Sequence, residues 1–78
     1  MIPGSFDPAT ARTFVGDAQA RALEQSARQD ADAGAYAPPP ISGETYASQV
    51  AAQMCAIVYR EQYTRRLARN ARKAQEAA

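Results

Sequence analysis

Val50-Ala51-Ala52-Gln53-Met54-Cys55-Ala56-Ile57-Val58-Tyr59 lies at the centre of a segment that runs from Ser42 to the C-terminus with no proline and no glycine after Gly43. At about 100° per residue, the spacing of an α-helix, its apolar side chains do not keep to one stripe. Tyr46, Val50, Met54 and Ile57 share one face, while Ala56, Tyr59, Tyr63 and Leu67 share another. A helix that is apolar nearly all round has to be buried. The sequence therefore predicts a helix that needs partners, with Tyr46, Val50, Met54, Ile57, Val58, Tyr59, Tyr63 and Leu67 as the partner interface. Ala47, Ala51 and Ala52 leave room for close helix approach, so copies of the same chain or a larger subunit would serve.

Outward from that run, the segment 42–78 reads as one long C-terminal helix. Ser42 is placed to cap it and Glu44 lies in its first turn, where a negative charge suits the positive end of the helix dipole. About thirty residues of helix span roughly 45 Å. Its end is basic. Arg65, Arg66, Arg69, Arg72 and Lys73 form a stripe on one side, with Tyr63, Leu67 and Ala71 opposite. Such a stripe is suited to phosphates or to an acidic protein surface.

On the N-terminal side stands Ala35-Tyr36-Ala37-Pro38-Pro39-Pro40-Ile41. Three successive prolines hold a chain in polyproline II at about 3.1 Å per residue, so residues 34–41 form a stiff extended spacer and not a tight turn. No PxxP spacing marks a ligand for proline-reading domains. Before the spacer, residues 8–33 are rich in alanine, arginine, glutamine and glutamate and predict a first helix. Asp7-Pro8 is its start, since aspartate accepts from orphan amides and proline at the first position gives up a donor that had no partner. Gly34 is its stop, because a glycine just past the last turn takes the left-handed conformation. Gly16 weakens its middle. Its apolar face is narrow, comprising Ala11, Phe14, Val15, Ala18, Ala22 and Leu23, and Asp30 and Asp32 sit badly against the negative end of its dipole. Residues 1–7 read as an N-terminal arm in which Ile2 and Phe6 are the anchors available.

The expected fold is thus all-α: two helices joined by a proline-rich linker, with a long C-terminal helix, non-globular as a monomer and without β-sheet. A chain of 78 residues has little core to rely on. Below about 70–80 residues a single core rarely supplies more than ~3–5 kcal/mol without a staple, and one cysteine with no histidine provides neither a disulfide nor the usual zinc sets. The net charge of +1 hides a division, with residues 1–40 at −2 and residues 41–78 at +3.

Chemistry is sparse in the composition. Acid–base catalysis calls for a histidine or paired carboxylates in a dry pocket, and the acidic residues are scattered. Cys55 has no histidine to activate it and lies in an apolar helix, where a thiol is usually inert. Neither a phosphate-binding glycine loop nor a metal-ligand spacing occurs. The reading is of a protein that is not an enzyme, takes no cofactor and no small-molecule substrate, and works through protein partners. Nucleic acid at the basic stripe is the alternative. The start of the chain lacks the basic and apolar regions of a signal peptide, and the Val50–Tyr59 run is half the roughly 20 residues a membrane span needs. A cytoplasmic location, or one within a large particle, is expected. In overall character the chain resembles small accessory subunits that decorate or plug large assemblies, tailed-bacteriophage virion components among them. That is a likeness of composition.

Overall fold

The computed structural model describes residues 7–40 and 43–77, and all regular structure in them is helical. Three helices follow one another: α1 (Pro8–Val15), α2 (Asp17–Ala33) and α3 (Tyr46–Ala77). The arm at 1–6 and the expected cap Ser42 lie outside the described residues.

The first helix begins as its sequence dictates. Asp7 is in extended conformation and its carboxylate accepts from the Thr10 amide at 3.0 Å, with Pro8 opening the first turn. The helix does not, however, run unbroken to residue 33. At Gly16 the backbone turns to φ 90°, ψ 154°, a region that residues with a Cβ essentially never enter. The Gly16 amide still closes α1 by donating to the Arg12 carbonyl at 3.1 Å, and its own carbonyl opens α2 by accepting from the Ala20 amide at 2.9 Å. One residue thus ends one helix and starts the next. Arg12 braces the corner, donating to Asp17 at 2.9 Å and to Glu24 at 3.2 Å.

The break changes which residues are buried. A continuous helix would place Ala11, Phe14, Val15, Ala18 and Ala22 on one face. Instead Ala11 is buried and Val15 partly so, whereas Phe14 is 56% exposed and Ala18 and Ala22 face solvent. In α2 the buried stripe is Ala20, Ala27 and Ala31, with Leu23 half-buried beside it. The offsets of seven and four are helical; only their phase is reset by the turn at Gly16. Alanine on that stripe lets α3 approach closely.

At its far end α2 stops at Gly34, in left-handed conformation at φ 69°, ψ 27°. The Gly34 amide donates to the Ala31 carbonyl at 3.3 Å and the Ala35 amide to the Asp30 carbonyl at 2.9 Å, the paired reverse bonds of a Schellman ending. Residues 35–40 have no regular structure. The long helix is capped by Thr45. The Ser48 amide donates to the Thr45 hydroxyl at 3.1 Å and the Thr45 amide to the Ser48 hydroxyl at 3.2 Å, a reciprocal capping box with serine in the place usually held by glutamate.

The helices pack in a definite order. Gln19 meets Cys55, Asp30 meets Tyr59 and Asp32 meets Arg66 and Asn70. Residue numbers rise together along both elements, so α2 and α3 are parallel. α1 starts beside residues 57–64 and hands over to α2 near Cys55, so it runs back against α3. A parallel pair needs a connection that returns along its own length. Twelve residues separate α2 from α3, which at about 3.1 Å each reach ~37 Å; the distance back from Arg66 to Tyr46 is ~30 Å of helix. The proline segment is that return strap.

Met54, Ala56, Ile57, Val58 and Tyr59 are all buried. Met54, Ile57 and Val58 cluster with Ala11 and Ala20, with Val15, Leu23 and Val50 packed on the outside. Of the residues expected at a partner interface, Met54, Ile57, Val58 and Tyr59 are buried and Val50 half-buried within the chain itself, against α1, α2 and the strap. Three covering elements explain why the run is apolar on more than one face. The monomer has a core of its own inside an elongated body of 49 × 23 × 22 Å, whose long axis matches the ~48 Å of α3.

Replacing Gly16 by alanine should cost about 1–3 kcal/mol through the forced positive φ, since nothing lies within 4 Å to obstruct the added Cβ. At roughly 4–8 °C per kcal/mol for a domain of this size, thermal melting followed by circular dichroism should show a clear drop in midpoint. Ala27→Leu should lower it as well, by about 1–3 kcal/mol of overpacking between α2 and α3.

Candidate functional site

The side of the molecule where α2 ends against α3 holds the polar contacts that fasten the last turn of α2 and the strap to the long helix. Tyr59 is 2% exposed; its hydroxyl donates to Asp30 Oδ2 at 2.5 Å and accepts from the Ala37 amide at 2.9 Å. One side chain of α3 therefore fastens the last turn of α2 and the first part of the strap. Burial, then the bond to Asp30, raises the Tyr59 phenol above its ordinary value of 10.0. Tyr36 of the strap packs edge-on against Tyr63 at 4.8 Å and tilted against Tyr59 at 5.8 Å, distances at which aromatic pairs attract.

About two turns further along α3, Arg66 grips Asp32 with two parallel bonds, Nε to Oδ1 and Nη2 to Oδ2, both at 2.9 Å, and Asn70 donates to Oδ1 at 2.8 Å. The bonds from Arg66 first, then that from Asn70, hold the Asp32 carboxyl at about 2, with the charge of Arg69 adding to the effect. Asp30 and Asp32, ill-placed for the α2 dipole, are thus present for their partners on α3.

The expected basic stripe is divided by this geometry. Arg66 turns toward α2 and is a structural clamp. Arg65 donates to Glu61 at 2.7 Å, one turn back on its own helix. Arg69, Arg72 and Lys73 make no ion pair among the described residues. Residues 71–77, which include Arg72 and Lys73, are exposed throughout and extend beyond the end of α2. Between the helices, Arg28 of α2 joins Gln62, Arg65, Arg66 and Arg69 of α3 around a hollow of about 110 Å³. Arg28 escaped the sequence reading because it is nearly forty residues from the others; only the parallel register, with residue 28 beside 62–65 and residue 32 beside 66–70, brings it there.

The expected interface residues also separate. Tyr46 is 77% and Leu67 42% exposed, Tyr63 is half-buried under Tyr36, and the remainder belong to the core. Cys55 is half-buried and accepts a bond from the Gln19 amide at 3.5 Å. Among the described residues no group of three metal-ligating side chains gathers, and no helix is long and apolar enough to cross a membrane.

Two substitutions separate the fastenings. Tyr59→Phe removes both bonds at the hydroxyl and should destabilise the fold by about 1–3 kcal/mol. Arg66→Ala should let the Asp32 carboxyl rise from about 2 toward its ordinary 3.8, read by carbon-detected NMR titration. Because that carboxyl is depressed in the folded state, its contribution to stability is complete above about 3.8 and disappears as the pH falls through about 2. The variant should lose that acid-dependent component. Compared with family models, with curated proteins and with solved structures, the chain matches none.

Proposed function

We propose that the chain is a small structural or accessory subunit that docks into a larger assembly through the outer side of α3. The observation that carries this reading is the uneven covering of that helix. Its middle is buried by α1, α2 and the strap, while its first turn and residues 71–77 are exposed among the described residues. Tyr46, in that first turn, and Leu67, one turn before the exposed end, are its exposed large apolar side chains. Arg65, Arg69, Arg72 and Lys73 surround Leu67 in sequence, giving an apolar anchor with a charged rim, the anatomy of a protein interface. Self-copies or a larger subunit with acidic groups would fit it. A bacteriophage virion is one assembly of this kind, supported by the likeness of composition alone.

A small basic-helix nucleic-acid-binding protein is the second reading. It is favoured by Arg28, which adds a fourth arginine from another helix to Arg65, Arg66 and Arg69. A total charge of +1 with a first half at −2 provides little general attraction to polyanions, which ranks it second.

A photo-crosslinking residue in place of Leu67 should capture a protein, either a second copy or another subunit, and Leu67→Asp should leave the melting midpoint of the isolated chain nearly unchanged. Monomeric sedimentation at every concentration together with no crosslink from position 67 would sink the docking reading. Tight binding of duplex DNA or RNA that falls with salt at roughly −0.9 in log–log slope per phosphate, and disappears in an Arg65→Ala, Arg69→Ala, Arg72→Ala variant, would put the second reading first.

A further inference from the structure

The hollow between α2 and α3 has properties that the docking reading does not use, since one of its walls is Arg28 on α2. Four arginines line it, Arg28, Arg65, Arg66 and Arg69, with Gln62 beside them. Two of the four are already matched, Arg65 by Glu61 and Arg66 by Asp32. Arg28 and Arg69 have no carboxylate partner among the described residues. The local balance is therefore close to +2, held in place by two packed helices and not by a flexible loop. Guanidinium forks suit oxyanions, to which they donate two parallel bonds.

We propose that this hollow binds a dianionic phosphate group, with Arg28 and Arg69 as its principal ligands and Gln62 as a neutral donor. Charge favours that choice. A phosphomonoester carries about −1.5 to −2 at neutral pH, which matches the unpaired arginines, whereas a single carboxylate or a phosphodiester carries −1. Size agrees. A volume of about 110 Å³ corresponds to the liquid share of between three and four waters at ~30 Å³ each and is smaller than the ~150 Å³ cavity that takes a benzene ring. The lining contains no aromatic side chain on which a base would stack. Only the phosphate of a larger ligand enters, and the rest of it stays in solvent.

The test is an NMR titration of the full chain with inorganic phosphate, following the arginine Nε–H resonances, with sulfate, chloride, O-phosphoserine and a short single-stranded oligonucleotide at matched ionic strength. Saturable shifts at Arg28 and Arg69 with phosphate and sulfate, and none with chloride, are expected. O-phosphoserine binding should weaken by up to about tenfold per pH unit below its second pKa of about 6, while sulfate binding stays constant. Phosphoserine binding more tightly than phosphate assigns the site to a carried phosphomonoester; equal binding assigns it to the free ion. Arg28→Ala and Arg69→Ala should each weaken phosphate at least about tenfold, with helicity unchanged by circular dichroism, and Arg21→Ala should have no effect. If Arg28→Ala fails to fold, Arg28→Lys keeps the charge and the stem, loses the fork, and should still weaken binding. The proposal is overturned by chloride shifts equal to those of phosphate, by phosphate binding that survives in the Arg28→Ala, Arg69→Ala double variant, or by oligonucleotide binding with no response to phosphate and phosphoserine.

Discussion

Everything in this fold hangs on the side chain of Tyr59. Its ring is buried beside Tyr36 and Tyr63, and its hydroxyl joins the last turn of α2, through Asp30, to the strap, through Ala37. A hydrophobic core of this size would not select one arrangement of three helices unaided, because alanine stripes on α2 accept many registers. The bond from the hydroxyl to Asp30 admits one. The fork of Arg66 on Asp32 adds a second fastening about two turns further along α3, and since both acids lie in the final turn of α2, the two clamps act on one short piece of backbone.

The parts of the structure written in local chemistry were legible in the sequence. Asp7 and Pro8 start α1, Gly34 ends α2, the prolines form an extended return, and the long helix follows. Each is decided by dihedral preference or capping within a few residues. What was not legible depended on contacts distant in sequence. Gly16 read as a weak point within one helix, because a glycine in a helical pattern is tolerated often enough; that it adopts φ 90° is enforced by α1 and α2 both packing on α3. The error then carried forward, since a helical wheel drawn through residue 16 assigns Phe14, Ala18 and Ala22 to a face they do not occupy.

The same limit applied to the functional reading. Counting apolar residues on residues 50–59 correctly showed that the segment must be covered, but not by what, and the cover is the first half of the same chain. The arginines were visible as a run along one helix, and the contribution of α2 was hidden by its separation in sequence. Conversely, the acids at 30 and 32 looked like misfits because only their own helix was considered. A residue that contradicts its local setting is often reserved for a distant partner, and here both of them are.

A parallel helix pair closed by a strap has a kinetic consequence. In an antiparallel hairpin the first contacts lie near the turn and the rest follow by zipping. Here no such short path exists: the earliest fastening between α2 and α3 joins residues 29 positions apart, and the chain between them is stiffened by prolines. Closing that loop costs entropy before any packing is gained. Its folding speed should therefore depend on the search for that distant contact more than on the formation of its helices.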